Sequence, residues 1–137
     1  MNTHPYLRAY MAGIMIPTIL LLVVFVVFAV IRFVYNPEFP LERVLVFPLA
    51  LVPAIWGFWN IVYVAMHGRR RLPLGMHGAV VPAVLVPLAL VAARVFGFEL
   101  VAGATPFVLL TLPLLMIIYY LVWKYLVGFL NAMLGIA

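Results

Sequence analysis

Residues 10–31 read YMAGIMIPTILLLVVFVVFAVI, a long run without a single charged side chain. A helix of about 20 such residues, rising about 1.5 Å per residue, crosses the hydrocarbon core of a bilayer. The apolar residues are continuous and do not alternate with polar ones, which favours a membrane helix over a barrel strand. The run is too long for a signal-peptide core and lacks an evident cleavage site. We therefore interpret it as a retained first membrane span.

Three further apolar runs follow, at about 44–66, 78–93 and 105–124. Hydrophobic residues make up 69% of the 137 residues and charged residues 8%, whereas soluble domains carry about 25% charged residues. The mean hydropathy is +1.31. The length accommodates four spans with short connections. The sequence predicts one all-α transmembrane domain over residues 1–137, a four-helix bundle.

The acidic residues and the arginine triplet lie in different gaps between the apolar runs. An arginine triplet, Arg69-Arg70-Arg71, fills the second gap, whereas the glutamates Glu38, Glu42 and Glu99 fall in the first and third gaps. Because lysine and arginine favour the cytoplasmic side, we predict that both termini are cytoplasmic, in a bacterial inner membrane. The net charge of +5 then faces anionic lipid headgroups, and we expect no nucleic-acid partner.

Each of the four spans contains proline, which removes one helical hydrogen bond and frees the carbonyl four residues earlier. These prolines are Pro17, Pro48, Pro53, Pro82, Pro87 and Pro113. Pro53, Pro87 and Pro113 are predicted nearest the middle of the bilayer. They suggest either a layer of kinks that acts as a gate or cation site, or ordinary kinks whose carbonyls find local partners.

The second gap combines the arginine triplet with His67 and His77. Guanidinium groups bind phosphate in a bidentate geometry, so Arg69, Arg70 and Arg71, helped by the two histidines, form a candidate site for an anionic lipid headgroup. The alternative is a determinant of topology alone. A metal site of His4, His67 and His77 is the weaker interpretation, because no carboxylate or cysteine completes its ligands. We expect no metal.

Two side-chain amides, Asn60 and Asn131, lie inside apolar stretches. Such groups suit hydrogen bonds between helices, and small residues four apart, such as Ala9 and Gly13, suit close helix contact. The stretch Trp56–Asn60, WGFWN, suits either helix packing or stacking on a flat ligand such as a quinone. We favour helix packing.

The residues after Lys124 are apolar to the end, YLVGFLNAMLGIA over 125–137. This extension either continues a long, tilted fourth span or forms a separate interfacial helix.

The sequence has no cysteine or aspartate, and no ionisable side chain in mid-span. Proton- or ion-coupled transport usually requires one, and nucleophile or nucleotide motifs are missing. We therefore predict a non-enzymatic membrane protein without a cofactor, acting through helix–helix association as a homo-oligomer or as an accessory subunit. The alternative is binding or transport of a lipid or hydrophobic solute, and an oligomeric channel comes third.

Overall fold

The computed structural model describes residues 4–35, 49–66, 72–95, 97 and 104–136. Every regular element in these residues is helical, and they contain no strand. The all-α class is therefore confirmed. His67, Pro48, the arginine triplet and the three glutamates lie outside the described residues.

The helical elements follow the apolar runs closely. They are α1 (Pro5–Val30) with a π-helical turn (Ile31–Tyr35), a 3₁₀ turn (Leu49–Leu51) leading into α2 (Val52–Met66), α3 (Leu74–Val95), α4 (Ala104–Val122), a second π-helical turn (Trp123–Val127) and α5 (Gly128–Met133). Pro5 opens α1, a position that suits proline because its missing N–H has no helical partner there.

Four helices in the described residues are long and apolar enough to cross a membrane, as predicted. They cover Pro5–Tyr35, Leu49–Met66, Leu74–Val95 and Thr105–Met133. The last helix runs past Lys124 without a break. Residues 125–133 therefore continue the fourth helix. This is the first of the two alternatives predicted for the C-terminal extension.

The chain packs as two compact units. The first contains Met1–Ala65 with Leu130–Ala137, and the second contains Met66–Phe129. We call them the terminal unit and the central unit. That the two units belong to a single domain stays a prediction.

In the terminal unit, α1 and α2 touch backbone to backbone. The buried residues of α1 are Ala9, Ala12, Gly13 and Pro17, which share one helix face. A methyl group on Gly13 would lie 2.7 Å from both Gly57 Cα and Trp56 O. Glycine is therefore needed at this crossing, because any larger side chain meets main-chain atoms that cannot rotate away.

The central unit is a hairpin in which the start of α3 packs against the end of α4. A methyl group on Gly75 would lie 2.7 Å from the ring of Tyr120, and one on Gly78 would overlap the Trp123 side chain. Trp123 is fully buried. The absence of a side chain at the two glycines thus lets the rings of Tyr120 and Trp123 pack directly on the backbone of α3.

The prolines occupy two kinds of position. Pro17, Pro82, Pro87 and Pro113 lie inside helices, whereas Pro53 is the second residue of α2. In a first turn proline breaks no helical hydrogen bond. The kinks themselves stay a prediction.

We predict that Gly13→Ala destabilises the protein by about 1–2 kcal/mol, since overpacking costs about 1–3 kcal/mol and exceeds the gain of roughly 1 kcal/mol in helix propensity. The measurement is the midpoint of unfolding in mixed detergent micelles. Gly128→Ala is the matched control, because its methyl group would have only ordinary contacts, 3.5 Å to Leu74 and 3.6 Å to Trp123 O. Equal midpoints for the two variants would contradict the close crossing.

Candidate functional site

The two amides singled out in the sequence hydrogen-bond to each other. Asn60 Nδ2 donates to Asn131 Oδ1 at 2.8 Å, and Asn131 Nδ2 donates to Asn60 Oδ1 at 3.2 Å. Asn60 is 0% exposed and Asn131 2% exposed. We call this reciprocal pair the amide clasp. It joins α2 to α5 through two residues that are 71 positions apart in the chain.

The amide clasp also reaches the first helix. Asn60 Nδ2 donates to Ala9 O at 2.8 Å, so both hydrogens of the Asn60 amide are used. Ala9 is fully buried, which places its carbonyl away from solvent or lipid. One side chain therefore fixes α1, α2 and α5 together in the terminal unit.

An apolar cluster from the same three helical segments accompanies the amide clasp. Ala9, Ala12 and Ile136 are its buried members, with Ile61, Val64, Leu130 and Leu134 packed against them. The small side chains on α1 allow the C-terminal residues to approach its backbone. Ile136 contributes the large side chain that fills this space.

The end of α5 is closed by a Schellman motif. Gly135 has a left-handed φ of 66°, Ile136 N–H donates to Asn131 O at 2.8 Å and Gly135 N–H donates to Ala132 O at 3.1 Å. This pairing satisfies carbonyls that a helix end otherwise leaves open. The turn also directs Ile136 back toward the cluster.

Arg8 adds a charged contact to this helix end. Its Nη1 donates to Leu134 O at 3.3 Å, and a cation at a helix C-terminus is favoured by the helix dipole. Arg8 was not among the site residues predicted from the sequence. Gly135 followed by an isoleucine was the available signal for the cap.

In the central unit, a lysine lies over two aromatic rings. Lys124 Nζ is 5.8 Å from the ring centroid of Tyr120 and 5.1 Å from that of Tyr125. Both distances fall within the range of cation–π attraction. Lys124 itself is exposed, so its ammonium group is oriented by the rings and still accessible.

The other predicted site residues are placed separately. His77 is buried in the first turns of α3, and His4 is exposed before α1. Among the described residues, no three His, Cys, Asp or Glu side chains form a group that could hold a metal. Pro53 belongs to the terminal unit, whereas Pro87 and Pro113 belong to the central unit.

The aromatic stretch Trp56–Asn60 on α2 has one buried face and one exposed face. Trp56 is buried, and the backbone of its neighbour Gly57 lies against Tyr10 and Ile14 of α1, whereas Phe58 is exposed. This arrangement is that of helix packing on one face and an apolar exterior on the other.

Comparison of the chain with models of protein families, with curated proteins and with solved structures finds no match.

We predict that Asn60→Ala and Asn131→Ala are coupled. Each replacement leaves the other amide buried without its partner, so a double-mutant cycle in unfolding free energy should give a coupling of about 1 kcal/mol, within the range for hydrogen bonds between membrane helices. Thr111→Val is the control, because this hydroxyl bonds only carbonyls of its own helix, Phe107 O and Val108 O, at 3.0 and 3.1 Å. Strictly additive effects would refute the amide clasp.

We also predict that Arg8→Gln loosens the C-terminal cap. Loss of a charge-assisted hydrogen bond of about 1 kcal/mol should speed hydrogen exchange of the Gly135 and Ile136 amides about fivefold. Arg32→Gln, at the other end of the same helical stretch, is the matched control and should leave those amides unchanged. Faster exchange in both variants would show a general loss of stability instead.

Proposed function

We propose that this chain is a non-enzymatic, multi-pass protein of a bacterial inner membrane that acts by helix–helix association, as a homo-oligomer or as an accessory subunit of a membrane complex. Both termini lie in the cytoplasm in this proposal, because five of the eight basic residues fall on that side of the four spans.

The observation that carries the proposal is the uncovered apolar surface of the first helix. In the helix Pro5–Tyr35, only 6% of the most apolar 18-residue stretch is buried. The packed residues end at Pro17, and beyond it Leu22, Val26 and Phe33 are 63%, 60% and 79% exposed. From Thr18 to Tyr35, no residue of this helix is buried.

The composition of that surface favours contact with another helix. Residues 18–35 are rich in valine and isoleucine, whose side chains are already confined to few rotamers in a helix. Such side chains lose little entropy on packing. The helix Thr105–Met133 is covered still less, with 0% of its most apolar stretch buried, but its α4 part is rich in leucine and lacks this advantage.

The polar groups of the spans support a packing role. Asn60 and Asn131 bond each other, and Thr18 Oγ1 donates to Ile14 O at 2.6 Å within α1. Thr111 likewise bonds carbonyls of its own helix. These side chains serve the internal structure, which leaves the exterior of the helices for association.

We predict that gentle extraction followed by native mass spectrometry yields a species heavier than one chain with its lipids, either a multiple of 15.3 kDa or a complex with other proteins. Val26→Trp should shift this species toward the monomer, because a tryptophan disrupts a packed helix interface and lipid chains accommodate it. Leu110→Trp, on the exposed surface of α4, is the matched control.

A strictly monomeric, partner-free wild-type chain would contradict association. A heavy species that Val26→Trp leaves intact, and that Leu110→Trp dissociates, would assign the contact to α4 and remove α1 from the proposal.

A further inference from the structure

The structure assigns a second role to the end of the α3–α4 hairpin: we propose that Lys124, held by Tyr120 and Tyr125, binds the phosphate group of an anionic phospholipid. This inference concerns the central unit and does not depend on the proposed helix association. It makes specific the lipid partner that the sequence analysis expected at the arginine triplet.

The first step is the position of the ammonium group. Lys124 Nζ lies 5.1 Å from the Tyr125 ring centroid and 5.8 Å from that of Tyr120. Tyr120 is in turn fixed by the backbone of α3, since its ring lies close against Gly75. The rings reduce the range of conformations of a side chain that otherwise has many, so less entropy is lost when a phosphate binds.

The part of the chain that the structure describes contains no carboxylate that could pair with Lys124. None of the described residues is an aspartate or a glutamate, and the nearest glutamate in the sequence is Glu99, beyond the opposite end of α3. The described residues therefore offer the Lys124 ammonium group no carboxylate.

The third step is the chemistry of the surroundings. Tyrosine side chains combine an apolar ring with a polar hydroxyl, and they are enriched at the level of lipid headgroups. Lysine stems lie along apolar surface while the ammonium group reaches the headgroups. Tyr125 is 60% exposed, so the ring and the ammonium group form one accessible amphipathic surface.

Three basic residues lie shortly before α3 in the sequence. The start of α3 lies against Tyr120, and Arg69-Arg70-Arg71 immediately precedes Leu72, the first described residue of this segment. Each basic residue near an anionic membrane surface contributes about 1 kcal/mol of attraction. In the predicted topology, Lys124 and the arginine triplet fall on the same side of the membrane.

The test is a native mass spectrometry titration of the detergent-solubilised full chain with phosphatidylglycerol, and with phosphatidylcholine as the zwitterionic reference. Lys124→Gln should weaken the apparent affinity for phosphatidylglycerol about fivefold and leave that for phosphatidylcholine unchanged. Lys124→Arg, which keeps the charge, should bind like the wild type. Arg94→Gln is the matched control, since this exposed arginine lies at the other end of α3.

Unfolding midpoints measured on the same samples show whether each variant keeps its fold, and Lys124→Met, which also removes the charge but keeps an apolar stem, replaces Lys124→Gln if that variant does not. Equal binding by wild type and Lys124→Gln would overturn the proposal, as would an equal loss in Arg94→Gln. Inorganic phosphate added at the same concentration should not displace the lipid. Displacement that depends on Lys124 would assign the site to free phosphate and reject the lipid.

Discussion

A polar group buried among apolar helices must find its hydrogen-bond partner inside the protein, because the apolar side chains around it supply none. In this chain the constraint acts on the Asn60 amide. Its two hydrogens form two hydrogen bonds, one donated to Asn131 Oδ1 and one to Ala9 O. The terminal unit follows from this. Residues near the two ends of the chain are brought onto α2, and the apolar cluster of Ala9, Ala12 and Ile136 closes around them.

Close backbone approach is the second requirement, and it depends on small residues. The crossing of Gly13 and Gly57 lets α1 approach α2 closely enough for Asn60 to reach a main-chain carbonyl one turn away from Gly13. In the central unit glycine serves aromatic rings instead, with Gly75 against Tyr120 and Gly78 against Trp123. In both units specific contacts hold one region of the helices, while much of the apolar surface of α1 and α4 is left for lipid or another protein.

The fold class was predictable because continuous apolar runs of sufficient length leave the backbone few choices in lipid. Asn60 and Asn131 could be selected as helix-contact residues because they are the amides inside those runs. Their pairing could not be predicted, since it depends on the rotation of two helices about their axes and on the C-terminal extension continuing as a helix. The contact of Arg8 with Leu134 O and the cap at Gly135 were overlooked, because both depend on where the C-terminal residues dock, which the sequence pattern does not indicate.

Each unit thus combines small residues at a close contact with a basic side chain: Arg8 at the helix end of the terminal unit, and Lys124 beside tyrosine rings in the central unit. The terminal unit depends on the docking of the C-terminal residues against α1. Since the natural chain has no cysteine, oxidation of the double variant Ala12→Cys/Ile136→Cys in membranes measures this docking directly. The account predicts an intramolecular crosslink that forms readily, with none in Leu22→Cys/Ile136→Cys. Absence of the first crosslink, or its formation solely between different chains, would contradict it.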